Sequence, residues 1–381
     1  MNFNYTDDQR MLSETLSRFL DDNYSHDHRM QAAQSDLGYD KDTWQQLCEL
    51  GIAGAMLPEA CGGYGGTGVD ITVVFEALGK SLVVEPLLST AAISANLLHE
   101  ATKGSGESSQ QPLIEKAIAG EALLALACYE KSQRYAVTTP DSNISKSGDG
   151  WTLNGAKTMV LNGDSAEHFI VTAKHDTELA LVVVPASASG VSLSAYPTVD
   201  GGRACDIEFS DVTLAADALI CSGAPAIEAL ESTLAKANVA ICAEALGVME
   251  TCKEMTVEYL QTRKQFGVPI GKFQALQHRM VDVMIEIEQA RSSIINAATS
   301  LDDDRDTREK NISAMKNLIG RAARLVAEES IQMHGGIAMT WEYALAHYAK
   351  RLIMIDHWFG DTDYHLQRFI ELSATHSDAV H

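Results

Sequence analysis

Two glycine-marked breaks in the last third of the chain constrain its fold most. The first lies in R-K-Q-F-G-V-P-I-G-K-F-Q, Arg263 to Gln274, and the second in Q-M-H-G-G-I-A-M-T, Gln332 to Thr340. Long helical patterns run between and around them. Met280, Val283, Met284, Ile287 and Ile294 form one stripe, and Ile312, Met315, Ile319, Ala322, Val326 and Ile331 another. Apolar residues three and four apart share a helix face that has to be buried. Long amphipathic helices joined by short polar links, such as Asp302 to Asp306, predict an antiparallel bundle.

Upstream the pattern changes twice. Thr6 and Gln9 have the spacing of a capping box, and Met11, Leu12, Leu16, Phe19 and Leu20 follow at helical spacing. The cluster Gly62, Gly63, Gly65, Gly66 and Gly68 marks a tight loop, after which helix resumes near Ile71. Trp151-Thr152-Leu153, Phe169 to Ala173, Leu179 to Val184 and Cys205 to Phe209 are short strand patterns separated by turn residues. Such spacing suggests a compact β domain, a sandwich or barrel. The expected organisation is α+β in three parts: an N-terminal helical domain over 1–120, a middle β domain over 121–225 and a C-terminal four-helix bundle over 226–381.

The formal net charge of −23 argues against nucleic acid or an anionic membrane as partner. Seven cysteines, several in apolar runs and none in a C-x-x-C pair, read as reduced core thiols with no metal site. The polar, acidic N-terminus has no signal-peptide core, and no apolar run reaches the roughly 20 residues of a membrane span. A cytoplasmic, soluble protein is expected.

Some residues stand out chemically. Arg263 offers a planar fork suited to a pyrophosphate, and Phe266 a flat apolar surface. Glu244 is the only acid in the apolar run Ala237 to Met249. A buried carboxylate there is either paired or raised in pKa, so it is a base or a structural partner of an arginine.

Taken together, L-P-E-A-C-G-G-Y-G-G (Leu57 to Gly66), W-T-L-N-G-A-K (Trp151 to Lys157), Asn162-Gly163 and the two late segments resemble the FAD-dependent acyl-CoA dehydrogenases over nearly the whole chain. C-A-E-A-x-G (Cys242 to Gly247) and F-G-D-x-D-x-H (Phe359 to His365) are similar to small-subunit chains of the pimeloyl-CoA dehydrogenase type. The resemblance implies the helical–β–helical fold and oxidation of an acyl-CoA to the 2,3-enoyl-CoA. A carboxylate takes the proton next to the thioester carbonyl while hydride leaves the next carbon for flavin. It implies that Arg263, Phe266, Gln274, Gln332, Gly335 and Gly336 serve FAD across a subunit interface, and that Tyr129, Met159 and Leu161 stand on the flavin side of the β domain. At Leu161 the family has a threonine, and leucine offers no hydrogen bond.

Implied partners are an acyl-CoA, an electron-transfer flavoprotein as acceptor, and either further copies of this chain or a related larger subunit. The usual catalytic glutamate is missing. Counting forward from Gln332 places it on Phe359; counting back from Arg368 places it on Asp361. Glu244 and Asp361 are therefore the candidate bases, Asp361 being equally suited to cap the last helix. Besides a self-sufficient dehydrogenase, a catalytically incomplete partner subunit and an oxidase-like enzyme are the alternatives.

Overall fold

The computed structural model describes residues 5–103 and 109–378; the first four residues of the polar N-terminus lie outside them. Helices α1 (Asp7–Asn23), α2 (His26–Gln34), α3 (Lys41–Glu49), α4 (Gly68–Ser81), α5 (Asn96–Thr102) and α6 (Gln111–Ile118) come first, with a π-helical stretch over Leu88–Ala95. Strands β1 (Leu124–Ala127), β2 (Asn143–Ser147), β3 (Gly150–Leu161), β4 (His168–His175), β5 (Glu178–Pro185), β6 (Val191–Pro197), β7 (Arg203–Leu214) and β8 (Leu219–Ser222) follow. Then come α7 (Ala224–Thr262), the short pair β9 (Lys264–Gln265) and β10 (Val268–Pro269), α8 (Gln274–Thr299), α9 (Arg305–His334), α10 (Leu345–His357) and α11 (Thr362–Asp378). The Thr6–Gln9 capping box forms at the start of α1.

These elements make two compact units. One comprises Met1–Met30, Gly68–Val83 and Asn238–His381; the other comprises Gln31–Thr67 and Val84–Ala237.

In the second unit the strands form one eight-stranded sheet, in the order β6-β7-β3-β2-β4-β5-β8, with β1 parallel to β4. Alternating positions bury Leu153, Phe169, Val171, Val182, Val184, Ile207 and Phe209 in its core. The β3–β7 register shifts between Lys157 and Val160, and Met159 there takes a φ of 52°. A bulge of this kind re-aims a side chain out of the pleat. The π-helical stretch, buried throughout, was not legible in the sequence. Asn96 supports it, donating to Ala91 O at 3.2 Å and to Met56 O at 3.0 Å.

In the first unit α9 packs against α8, α10 and α11. Met280, Val283, Ile287, Ala290 and Ile294 of α8 are buried, in steps of three and four. Met284 falls outside the stripe expected for it and is 49% exposed. One residue past Val283 is about 100° around the helix, which turns it off the buried line. Ile331 is likewise only half-buried, because the buried line of α9 passes through Ser330, Met333 and His334. The link before α9 is shorter than the acidic run suggests: Asp304 caps the helix, its Oδ1 accepting from Asp306 N and Thr307 N at 3.1 Å. Helices α4 and α7 meet through glycine from both sides. A Cβ at Gly79 would lie 2.1 Å from Glu244 O, and one at Gly247 would lie 2.1 Å from Glu76 O.

Candidate functional site

The two glycine-marked segments come together in the first unit. Tyr259, one turn before Arg263, stacks on His334 with centroids 4.4 Å apart and planes 26° apart. His334 Nδ1 lies 2.8 Å from Ser330 O, so the ring is pinned to its own helix. That stack sets the end of α7 beside the end of α9. His334 is thus an anchor between the two segments.

What these segments expose is unusual. Strands β9 and β10 pair antiparallel, leaving Phe266-Gly267 as a two-residue turn with φ of 53° and 81°. Positive φ at both central residues is the primed hairpin turn, which suits Asn or Gly and not a bulky ring. Phe266 holds that conformation while 92% exposed, with only an edge contact to Phe273 at 6.2 Å. Backbone strain and a solvated aromatic both cost free energy, and among the described residues Phe266 has only the Phe273 edge contact against that cost. Among the described residues the Arg263 guanidinium makes no hydrogen bond or ion pair, and Gln274 and Gln332 are exposed. Gly335 has a φ of 70°, and a Cβ at Gly335 or Gly336 would meet nothing within 4 Å. A flat ring, a free guanidinium and bare backbone suit an anionic cofactor with a planar ring system.

The β-domain residues differ. The Met159 N–H already donates to Asp206 Oδ1 at 3.2 Å, and the same oxygen accepts from Thr158 Oγ1 at 2.6 Å and Tyr196 OH at 2.9 Å. Tyr129 O accepts from Thr158 N at 2.9 Å. Leu161 is half-buried and carries no donor. Beside them is a cavity of about 290 Å³ lined in part by Glu130, Asp141, Lys157, Thr158, Asp206 and Glu208. Four carboxylates against one buried lysine, with Lys131 at the rim, make poor company for a phosphate group. The C-terminal set has the chemistry that FAD needs; in the β-domain set the Met159 N–H is already used and the Leu161 side chain carries no donor.

The candidate bases are both engaged. Arg351 grips Glu244 with two bonds, Nε to Oε1 at 2.6 Å and Nη2 to Oε2 at 2.7 Å. This is the arginine-paired arrangement, and no spacing in the sequence singles out Arg351 as the partner. Asp361 Oδ1 accepts from Tyr364 N at 2.9 Å and caps α11. Phe359 is 9% exposed with a φ of 57°, followed by Gly360 at 109°. No group of three or more His, Cys, Asp or Glu among the described residues is placed to hold a metal. No described helix is long and apolar enough to cross a membrane.

His365, the last residue of the F-G-D-x-D-x-H motif, supports this turn. Its Nε2 lies 3.0 Å from Phe359 O. Burial, helped by the nearby Lys316 charge, pushes its imidazole from 6.5 down to about 3. The native state therefore favours the neutral ring. Its contribution is fully present above pH 6.5 and is lost as pH falls from 6.5 toward 3. His365→Asn should flatten the pH dependence of unfolding in that window by up to about 1.4 kcal/mol per pH unit, the value for one proton. Urea titrations at several pH values would show it; parallel slopes for variant and wild type would contradict it.

Comparison with known proteins agrees along the chain. Residues 6–121 match the acyl-CoA dehydrogenase N-terminal domain, 125–212 its middle domain and 227–371 its C-terminal domain. The acyl-CoA dehydrogenase IpdE2 of Mycobacterium tuberculosis is 32% identical over 350 residues, covering 91% of each chain. A chain of the ChsE4-ChsE5 complex from Mycobacterium tuberculosis superposes with a TM-score of 0.88 at 25% identity, over 98% of this chain and 99% of that one. The glutaryl-CoA dehydrogenase of Mycobacterium smegmatis, solved in complex with FADH2, shares the fold, with a TM-score of 0.86 at 21% identity over 96% and 94% of the two chains.

Proposed function

Because the chain belongs to the acyl-CoA dehydrogenase family, whose cofactor is FAD, we propose that it is one subunit of a heteromeric acyl-CoA dehydrogenase. It lends the edge formed by Arg263, Phe266, Gln274, Gln332, Gly335 and Gly336 to FAD seated in a related subunit, and that subunit supplies the base. The assembled enzyme converts an acyl-CoA to the 2,3-enoyl-CoA, with an electron-transfer flavoprotein as acceptor.

One observation carries this: position 359 holds a phenylalanine, while both alternative carboxylates are committed, Glu244 to Arg351 and Asp361 to a helix cap. A general base needs a lone pair within reach of the proton it takes. Phe359 has none, and Glu244 has both oxygens in charge-assisted bonds. The β-domain residues support the same division, since Met159 N–H is already used and Leu161 has no hydroxyl. The ChsE4-ChsE5 relative was solved as a complex of two differently named chains. The pimeloyl-CoA dehydrogenase-like motifs make a dicarboxyl-CoA the first substrate to test.

FAD, when bound, accepts the hydride. The work of this chain is to hold it: Arg263 brings a fork for pyrophosphate oxygens, Phe266 a ring surface, and Gly335-Gly336 a backbone that a ligand can approach closely. Arg263→Ala should therefore weaken FAD retention in the assembled enzyme by about 1.5–3 kcal/mol, the range for a hydrogen bond to a charged group. Flavin content after extensive dialysis measures this. Unchanged content would remove Arg263 from the site.

A further inference from the structure

One face of α9 is polar where it meets the turn Trp358 to Thr362. Ser313, Lys316, Asn317 and Gly320 lie at spacings of three and four, and each faces that turn or the helix ends that flank it. The Lys316 ammonium donates to the carbonyl oxygens of Ile355 at 2.8 Å, Asp356 at 3.0 Å and Gly360 at 2.9 Å. Asn317 Nδ2 donates to Thr362 O at 3.0 Å, and Ser313 Oγ lies 3.4 Å from His365 Nδ1. A side chain at Gly320 would strike Asp356 Oδ1 and Thr362 Oγ1 at 2.2 Å.

Lys316 is 0% exposed and makes no ion pair among the described residues. Burying an ammonium in this way costs free energy that a methionine of similar volume would avoid. What methionine cannot do is gather three main-chain oxygens. Ile355 and Asp356 lie in the last turn of α10, where the helix dipole is negative; Ile355 O accepts from Trp358 N at 3.3 Å as well as from the ammonium. Gly360 lies on the other side of Phe359. The bonds therefore bracket the one residue of the turn that holds a positive φ against its own side chain.

We infer that Lys316 is a positioning residue: it fixes the backbone on both sides of position 359, and so fixes which side chain this subunit presents where the family carries its base. That last clause rests on the subunit role proposed above; the fixing of the turn does not.

Hydrogen exchange on the purified full chain tests the clamp. In Lys316→Met, protection of the amides of residues 358–362 should fall at least ten-fold more than protection in α9. Ile294→Ala, a core truncation in the same unit, is the control and should lower both together. Lys316→Ala leaves three converging carbonyls around a space, and added butylammonium should restore the turn's protection. Uniform loss in Lys316→Met, or no rescue of Lys316→Ala, would overturn the clamp and leave a purely packing role. In the assembled enzyme Lys316→Met should raise KM for the acyl-CoA at least ten-fold with flavin content unchanged. Lost turn protection with an unchanged KM would keep the clamp and refute the placement of position 359 beside the acyl chain.

Discussion

Replacing Lys157 by methionine is expected to lower the unfolding free energy by about 3–5 kcal/mol, the range for stranding one partner of a buried ion pair. Lys157 and Glu130 have side chains 0% and 5% exposed and meet at 2.6 Å. Glu130 Oε1 also accepts from Ser142 N at 3.0 Å and Ser142 Oγ at 2.7 Å, and Oε2 accepts from Asp141 N at 2.6 Å. Lys157 donates further to Thr172 Oγ1 at 2.9 Å. Without the ammonium, the carboxylate keeps its dipoles and loses its countercharge. Removing both charges, as Lys157→Met with Glu130→Leu, usually recovers much of such a loss. Here it should recover only part, because the Asp141 and Ser142 N–H groups would lose their acceptor. Urea denaturation measures both variants, with the slope checked for constancy. A loss under about 1 kcal/mol would mean that water from the adjacent cavity solvates the pair.

Arg351→Leu should have an effect of similar size, about 3–5 kcal/mol, for the same physical reason in the helical unit. Glu244 is 5% exposed, lies on a helix apolar nearly all round, and receives both bonds of the guanidinium fork. A neutral Glu244→Gln keeps the shape and loses the charge. It should destabilise the protein while leaving flavin reduction by the assembled enzyme at the wild-type rate. Slow reduction with normal stability would instead identify Glu244 as a base. The cycle of Glu244→Gln and Arg351→Leu, alone and together, should show strong coupling, since each acts through the other.

Long periodic elements were legible in the sequence. The α1 capping box, strands β3, β4, β5 and β7 and the buried stripe of α8 all follow from spacing, because burial of one face dictates it. Met284 misled because an apolar residue next to a stripe looks like part of it; only the angle around the helix separates the two. The π-helical stretch left no signal, since a wider turn changes neither composition nor period enough to show over eight residues. Within the candidate site, Arg263, Phe266 and the glycines stood out in the sequence because their residue types and spacing mark a break between helices. The polar partners could not. Arg351 reaches Glu244 across 107 positions, and Glu130 reaches Lys157 across 27. Tertiary pairing of this kind has no sequence period. Lys316 did leave a trace: it sits between Ile312 and Ile319, on a face that should be apolar. A lysine there signals carbonyls or carboxylates waiting inside.

On this proposal the chain holds part of a flavin site without the base. The decisive experiment is anaerobic mixing of the purified protein with an acyl-CoA, followed by flavin absorbance. The chain purified alone should show no bleaching, whether or not FAD is added. Co-expressed with a homologous subunit that carries glutamate at the turn before the last helix, it should co-purify with FAD and bleach on adding substrate. A homo-oligomer of this chain alone that holds FAD and bleaches as fast as the mixed assembly would contradict the proposal.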